Sequence, residues 1–327
     1  MTDVTQPWID AQQSKGLSGV SSLAQAAAEL LAENTLLKRP PPPPPPTKRP
    51  FFVFPNAIPP AYRPSVFRKR GVEPCLYITT HTIDPNHDMI PDHVAIKNKI
   101  ADWLEVYPEA EYLCLDWENP MHKYLAAGGK KKEMAHFFWR QTCDRIYGNY
   151  PNLLIGPWGL PTMPWWFKPP NSQYAEAFHR LPGPVQQDLI LDAANDCFVI
   201  FKYSDCFFPG MYTRFRSTYA ETIQLWQARA AAKLSVCGTR KPVFPCICWH
   251  DQHNWDSDNP PPYGIGINDL IGYNSMNETD VLLKGALPDH VAGASMWGVP
   301  RWWINFQCNL DTRINLTTRH LNPPVPS

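Results

Sequence analysis

From about residue 50 onward the chain repeats one pattern: a short apolar run, then a longer stretch with apolar residues at helical spacing. The apolar runs are Phe51–Pro55, Cys75–Thr80, Tyr112–Trp117, Leu153–Pro157, Cys197–Tyr203, Val243–Trp249 and Ala292–Trp297. Runs this short and this uniformly apolar suit strands covered on both faces. Between them, His93–Val106, Lys131–Tyr147 and Tyr219–Leu234 read as amphipathic helices. Strands alternating with helices predict parallel pairing through helical crossovers. Seven runs over about 275 residues is barrel size. The expected fold class is α/β, a (β/α) TIM-like barrel of seven strands over residues 50–327. A doubly wound open sheet is the alternative, and a glycine-rich phosphate loop after the first strand would favour it. The chain there reads Phe54-Pro55-Asn56-Ala57.

Ahead of the barrel the pattern changes twice. Residues 1–17 are polar and expected to be flexible. Residues 18–39 turn helical, with neither Gly nor Pro between Val20 and Arg39. Leu23, Leu30 and Leu37 recur every seven residues, with Ala27 and Asn34 at the intervening seam position. A helix this short is marginal alone, so residues 18–39 are expected to self-associate, to dock on a larger assembly, or to lie on their own barrel. Pro40 to Pro46 is an uninterrupted proline run between Lys38-Arg39 and Lys48-Arg49. It predicts a polyproline II rod within a 40–49 linker, serving as a stiff spacer or an SH3-type ligand.

Thirty basic residues balance thirty acidic ones, which removes any general electrostatic reason to expect nucleic acid or an anionic membrane as partner. No apolar run reaches the roughly 18 residues of a membrane span, and no signal peptide is visible after Met1. The sequons at Asn277 and Asn315 therefore carry little weight. Residence on a virion, or outside a cell by a non-classical route, is an expectation from the modular architecture alone. Nine cysteines in no framework spacing predict buried free thiols, with no zinc pattern. Thirteen Trp supply flat platforms on which sugar rings can pack, although large barrels also bury several in their cores.

The third run carries the candidate chemistry: Tyr112-Leu113-Cys114-Leu115-Asp116-Trp117-Glu118-Asn119-Pro120. Strand side chains alternate, so Asp116, Glu118 and Cys114 share one face, while Leu113, Leu115 and Trp117 face the helices. Asn119-Pro120 ends the strand and leaves both acids at its C-terminal end, where barrel active sites are built. Two neighbouring carboxylates in a partly dry pocket should have one pKa raised. A carboxylic acid still protonated at working pH is what a glycosidic oxygen needs as proton donor. The plainer alternative is a pair of rim acids that cap helices or meet Arg and Lys.

Asp116-Trp117-Glu118 at the end of the third strand resembles the hyaluronidase family of glycoside hydrolases. It also resembles the end of the chitinase-type motif, whose two earlier Asp positions fall here on Glu111 and Cys114. Further stretches are similar to the family in order. They are Trp158-Gly159 with Pro164 after the fourth run, Phe207 to Tyr212 after the fifth, and Gly293 to Gly298 in the last. The resemblance implies seven strands and a substrate-assisted, retaining cleavage of a polysaccharide containing N-acetylhexosamine. It implies that Glu118 protonates the leaving oxygen and then activates water. Asp116 orients the acetamido group, Tyr212 hydrogen-bonds beside it, and Trp297 walls its methyl. No cofactor and no metal is implied. Three features depart from the family. Phe167 stands where the family has Tyr, the family's basic residue after the acid motif is not evident in Asn119-Pro120-Met121-His122, and the paired cysteines of secreted members have no obvious match.

Trp158, Trp165 and Trp249 are candidate sugar platforms, with Trp166, Phe167 and His250 beside them. Tyr203 and Asp205, leaving the fifth run two residues apart, are candidate cleft residues. The loop His250-Asp251-Gln252-His253 lacks a definable ligand geometry, and Lys130–Lys132 reads as a solvated helix start or a contact for an anionic glycan. Two functions follow: a glycoside hydrolase tethered through residues 18–39 to an assembly such as a phage particle, or a non-catalytic glycan-binding or structural barrel of such an assembly.

Overall fold

The computed structural model describes residues 50–55, 58, 63–68, 71–160, 197–209, 241–244, 246–247, 292–296 and 318. Its elements are β1 (Phe51–Val53), α1 (Arg63–Phe67), β2 (Val72–Pro74), β3 (Leu76–Thr79), α2 (Thr80–Ile83), α3 (His93–Val106) and β4 (Tyr112–Asp116). They continue with α4 (Met121–Ala127), α5 (Gly129–Asn149), β5 (Leu154–Pro157), α6 (Phe198–Tyr203), β6 (Cys246–Ile247) and β7 (Ala294–Met296). Every strand pairing is parallel. One sheet has the order β2-β1-β7-β6 and the other β3-β4-β5. Two isolated parallel bridges, Trp158 with Phe208 and Phe207 with Val243, continue the second sheet past β5 towards the segment that leads into β6.

β4 is apolar up to Asp116 because that part of it is covered on both faces. Leu113, Leu115 and Trp117 enter a large core with Leu76, Ile78, Ile96, Ile100, Phe138, Trp139 and Ile155. Tyr112 and Cys114 face the other way. The Tyr112 ring lies 4.8 Å from Phe52 of β1 and 5.0 Å from Phe244. Phe54 meets Tyr77 at 4.6 Å and Phe208 at 6.1 Å. Aromatic rings from both sheets thus form a second, inner core. All six cysteines among the described residues are buried free thiols. Burial pushes Cys75, Cys114 and Cys206 well above the usual thiol range.

The helices follow from local signals. Asp92 caps α3 by accepting from the Val94 and Ala95 amides at 3.0 and 2.9 Å. Ile96, Ile100 and Trp103 then bury one stripe at helical spacing. Between α4 and α5 the chain turns through Gly128 and Gly129, at φ +68° and +52°. Side-chain-bearing residues rarely adopt that conformation, so the break falls on two glycines.

One predicted element is corrected. Cys197–Tyr203 reads as a strand, but Phe198–Tyr203 is helix α6. Cys197, Ile200 and Phe201 are buried at helical i, i+3, i+4 spacing, and the helix packs on α5. The Lys241 ammonium donates to the carbonyls of Phe201, Lys202 and Ser204 at 2.7, 3.0 and 2.6 Å, closing the C-terminal end. Packing and capping override the β propensity of Phe, Val and Ile. The strand-like pairing falls instead on Phe207 and Phe208. β2 is also additional, lying just before the run predicted from Cys75. Residues 18–39, the proline run and Tyr219–Leu234 lie outside the described residues.

Candidate active site

Parallel register brings β3 and β4 together at the acid end: Tyr77 pairs with Cys114, Ile78 with Leu115, and Thr79 with Asp116. Tyr77 and Asp116 lie on the inner face, and the Tyr77 hydroxyl donates a short hydrogen bond to Asp116 Oδ2. Asp116 is partly exposed as a residue, yet its Oδ1 is closed off from solvent with no hydrogen-bond partner. Burial raises the Asp116 carboxyl to about 6 from an ordinary 3.8, and the Tyr77 hydrogen bond works in the opposite direction. Burial, and then the Asp116 charge, push the Tyr77 phenol well above its usual range. Burial is thus the main cause of the raised Asp116 pKa.

The backbone that carries the two acids is held residue by residue. Thr80 Oγ1 donates to the Asp116 carbonyl at 2.9 Å and accepts from the Glu118 amide at 2.9 Å. The Glu118 carbonyl accepts from the His122 amide at 2.8 Å. Between the acids, Trp117 points into the helix-side core, and its indole N–H reaches Asp84 Oδ2 at 3.4 Å. Asp84 is fully buried and also accepts from the Asp88 and Met89 amides at 3.1 and 2.9 Å. The loop after β3 closes over the same edge: His87 Nδ1 lies 3.1 Å from the Asn119 carbonyl oxygen, and the His81 ring lies 5.6 Å from that of His87.

Trp158 follows β5 at this edge. Its amide donates to the Leu115 carbonyl at 3.0 Å, and its side chain is buried. Gly159, at φ +69°, turns the chain beside His122, and a Cβ there would come 3.4 Å from His122 Cε1.

Tyr203 and Asp205 are not brought to the acids. Tyr203 is a buried residue of α6 with the Arg140 guanidinium 5.3 Å from its ring centre. Asp205 Oδ2 accepts from the Ile155 amide at 2.9 Å. Ile155 pairs with Leu113, three residues before Asp116 along β4. Tyr212, Trp297, Trp165 and Trp249, with Phe167 and His250, lie outside the described residues. Among the described residues no group of three or more His, Cys, Asp or Glu is arranged to hold a metal ion. No described helix is long and apolar enough to cross a membrane.

Tyr77, Thr80 and Asp84 are site residues that sequence reasoning missed. For Tyr77 a signal existed: alternation along β3 sets it on one face with Cys75, and parallel pairing carries that face to Asp116. Thr80 and Asp84 lie beyond the end of β3, where alternation no longer applies.

No family model matches the chain, and no curated protein matches it. Among solved structures, bee venom hyaluronidase in a monoclinic crystal is similar at 13% identity, over 71% of this chain and 80% of that one, with a TM-score of 0.44. Bee venom hyaluronidase in complex with a hyaluronic acid tetramer is similar at 14% identity, over 72% and 78%, also with a TM-score of 0.44.

Proposed function

We propose that the chain is a glycoside hydrolase acting on a polysaccharide that contains N-acetylhexosamine, with Asp116 and Glu118 as its catalytic acids. The observation that carries this reading is the state of Asp116. A carboxyl with a pKa near 6 sits at the C-terminal end of a parallel strand, hydrogen-bonded by a buried tyrosine, with a second acid two residues on. Perturbed carboxyls cluster where chemistry needs them. The barrel reading draws its support from the all-parallel pairing and from the two bridges that lead from β5 towards β6.

In the mechanism that the hyaluronidase resemblance implies, the substrate's own acetamido oxygen attacks its anomeric carbon. Glu118 gives a proton to the departing glycosidic oxygen, then takes one from the water that opens the cyclic intermediate. Ionised Asp116 accepts the acetamido N–H and offsets the positive charge developing there. Tyr77 holds the Asp116 carboxylate in place through that step. Tyr212 and Trp297 bind the same acetamido group, and Trp165 and Trp249 line the sugar path, whereas the buried Trp158 side chain supports the edge from within. Residues 18–39 and the proline linker tether this domain to a larger assembly.

The test is release of reducing ends from hyaluronan, chondroitin, chitin oligomers and peptidoglycan by wild type and Glu118→Gln. Release by wild type, with a loss of at least about a hundredfold in the variant, is expected for removal of a general acid. Equal rates would remove Glu118 from the mechanism. Glycan binding without release would make the chain a binding module.

A further inference from the structure

We propose that Thr80 is a positioning residue for the acid pair, its one hydroxyl clamping the backbone on both sides of Trp117. The proposal rests on the hydrolase reading for its catalytic consequence, and on geometry alone for the clamp itself.

The β3–β4 ladder has its last paired residues at Thr79 and Asp116. From Thr80 the main chain turns into α2, and the Thr80 carbonyl is already engaged by the Asp84 amide at 2.7 Å. The β3 backbone therefore cannot supply the next rung. Without a substitute, the Asp116 carbonyl and the Glu118 amide would be polar groups left over at the edge of two cores, a costly arrangement. The Thr80 hydroxyl replaces that rung by donating to the first group and accepting from the second, each at 2.9 Å. An ammonium cannot accept and a carboxylate cannot donate, so the position calls for a short hydroxyl.

The consequence reaches the acids because the clamp spans them. It fixes the peptide units that join Asp116 to Trp117 and Trp117 to Glu118. The outer ends are already tied: the Asp116 carboxyl to Tyr77, and the Glu118 carbonyl to the His122 amide. Releasing the middle leaves the Glu118 backbone free to turn relative to Asp116. A misplacement of about 1 Å costs on the order of a hundredfold in rate where the reacting groups must align.

The experiment compares full-length wild type, Thr80→Ser, Thr80→Ala and Thr80→Val by two readouts. The first is kcat and KM on whichever glycan wild type cleaves. The second is hydrogen exchange at the Glu118 amide, which needs no activity. Thr80→Ser is expected to stay within about threefold of wild type in kcat and to keep the amide protected. Thr80→Val and Thr80→Ala are expected to lose about tenfold to a hundredfold in kcat with KM within about threefold, and to exchange that amide faster. Thr80→Ala serves the same purpose if Thr80→Val fails to fold. Unchanged exchange in both Thr80→Ala and Thr80→Val would overturn the clamp whatever the activity. Loss confined to KM, or Thr80→Ser as impaired as Thr80→Val, would overturn the positioning role. Wild type that cleaves nothing, with exchange accelerated in Thr80→Val, would overturn the hydrolase reading and leave the clamp standing.

Discussion

Replacing Asp116 with Asn should remove a pH dependence of stability that wild type carries, so the difference between the two isolates the Asp116 carboxyl. The Asp116 carboxyl stands at about 6 against an ordinary 3.8. At about 1.4 kcal/mol per pH unit, that difference corresponds to roughly 3 kcal/mol. The folded chain holds the proton more tightly than the unfolded chain, so folding takes up a proton between about pH 4 and pH 6. Wild type therefore loses this stability as pH rises through that window, and carries the whole cost above it. Asn has nearly the same shape, cannot ionise, and keeps an oxygen for the Tyr77 hydroxyl. Its amide nitrogen takes the place of Oδ1, which has no partner, so an unpaired N–H costs about 1 kcal/mol at every pH. The variant should accordingly be about 1 kcal/mol less stable than wild type near pH 4 and about 2 kcal/mol more stable near pH 7.5. Urea unfolding followed by tryptophan fluorescence across that range measures both curves. A difference that stays constant with pH would refute the raised Asp116 pKa, and a difference that widens against the variant as pH rises would reverse its sign.

Two other substitutions follow from the same geometry. Tyr77→Phe keeps the ring packed against Phe54 but removes the hydrogen bond that holds the Asp116 pKa down. The acid limb of kcat/KM, expected near pH 6 in wild type because Asp116 must be ionised, should move to higher pH, and an unmoved or lowered limb would remove Tyr77 from the site. Asp205→Ala deletes the acceptor for the Ile155 amide and should cost about 1–2 kcal/mol in chemical unfolding. It should leave glycan binding and turnover per folded molecule unchanged, and a clear fall in glycan affinity would return Asp205 to the cleft.

What could be read from the sequence was whatever depends on neighbours along one strand or helix. Alternation alone divides β4 into an acid-bearing face and a helix-facing face, and Leu113, Leu115 and Trp117 lie where it puts them. The helix over His93–Val106 matches its expected bounds because its cap and its stripe are both local. The failure at Cys197–Tyr203 has the same root. Six residues rich in Phe, Val and Ile suit strand and helix equally, and the decision came from α5 beneath them and from Lys241, some forty residues away. That error displaced Tyr203 and Asp205 from the cleft to the helix layer and the flank of β5. Tyr77 and Thr80 touch residues 36 to 39 positions distant, so no window along the chain contains both partners.

These long-range contacts also explain how one strand end can carry a costly carboxyl without losing its shape. β4 closes two cores, and Trp117 is its anchor in the apolar one, buried and tied through its indole to Asp84. That anchor lies between the two acids. Its packing with Leu113 and Leu115 opposes any rotation of the strand end that would let Asp116 reach water and relieve its burial. The Tyr77 hydrogen bond acts on the opposite face and the Thr80 hydroxyl on the main-chain edge towards β3, so the strand end is held from several directions. Trp117→Phe should therefore lower the Asp116 pKa towards its ordinary value, read as a shift of the acid limb of kcat/KM to lower pH, even though Trp117 touches no substrate in the proposed mechanism; an unmoved limb would refute the anchoring role.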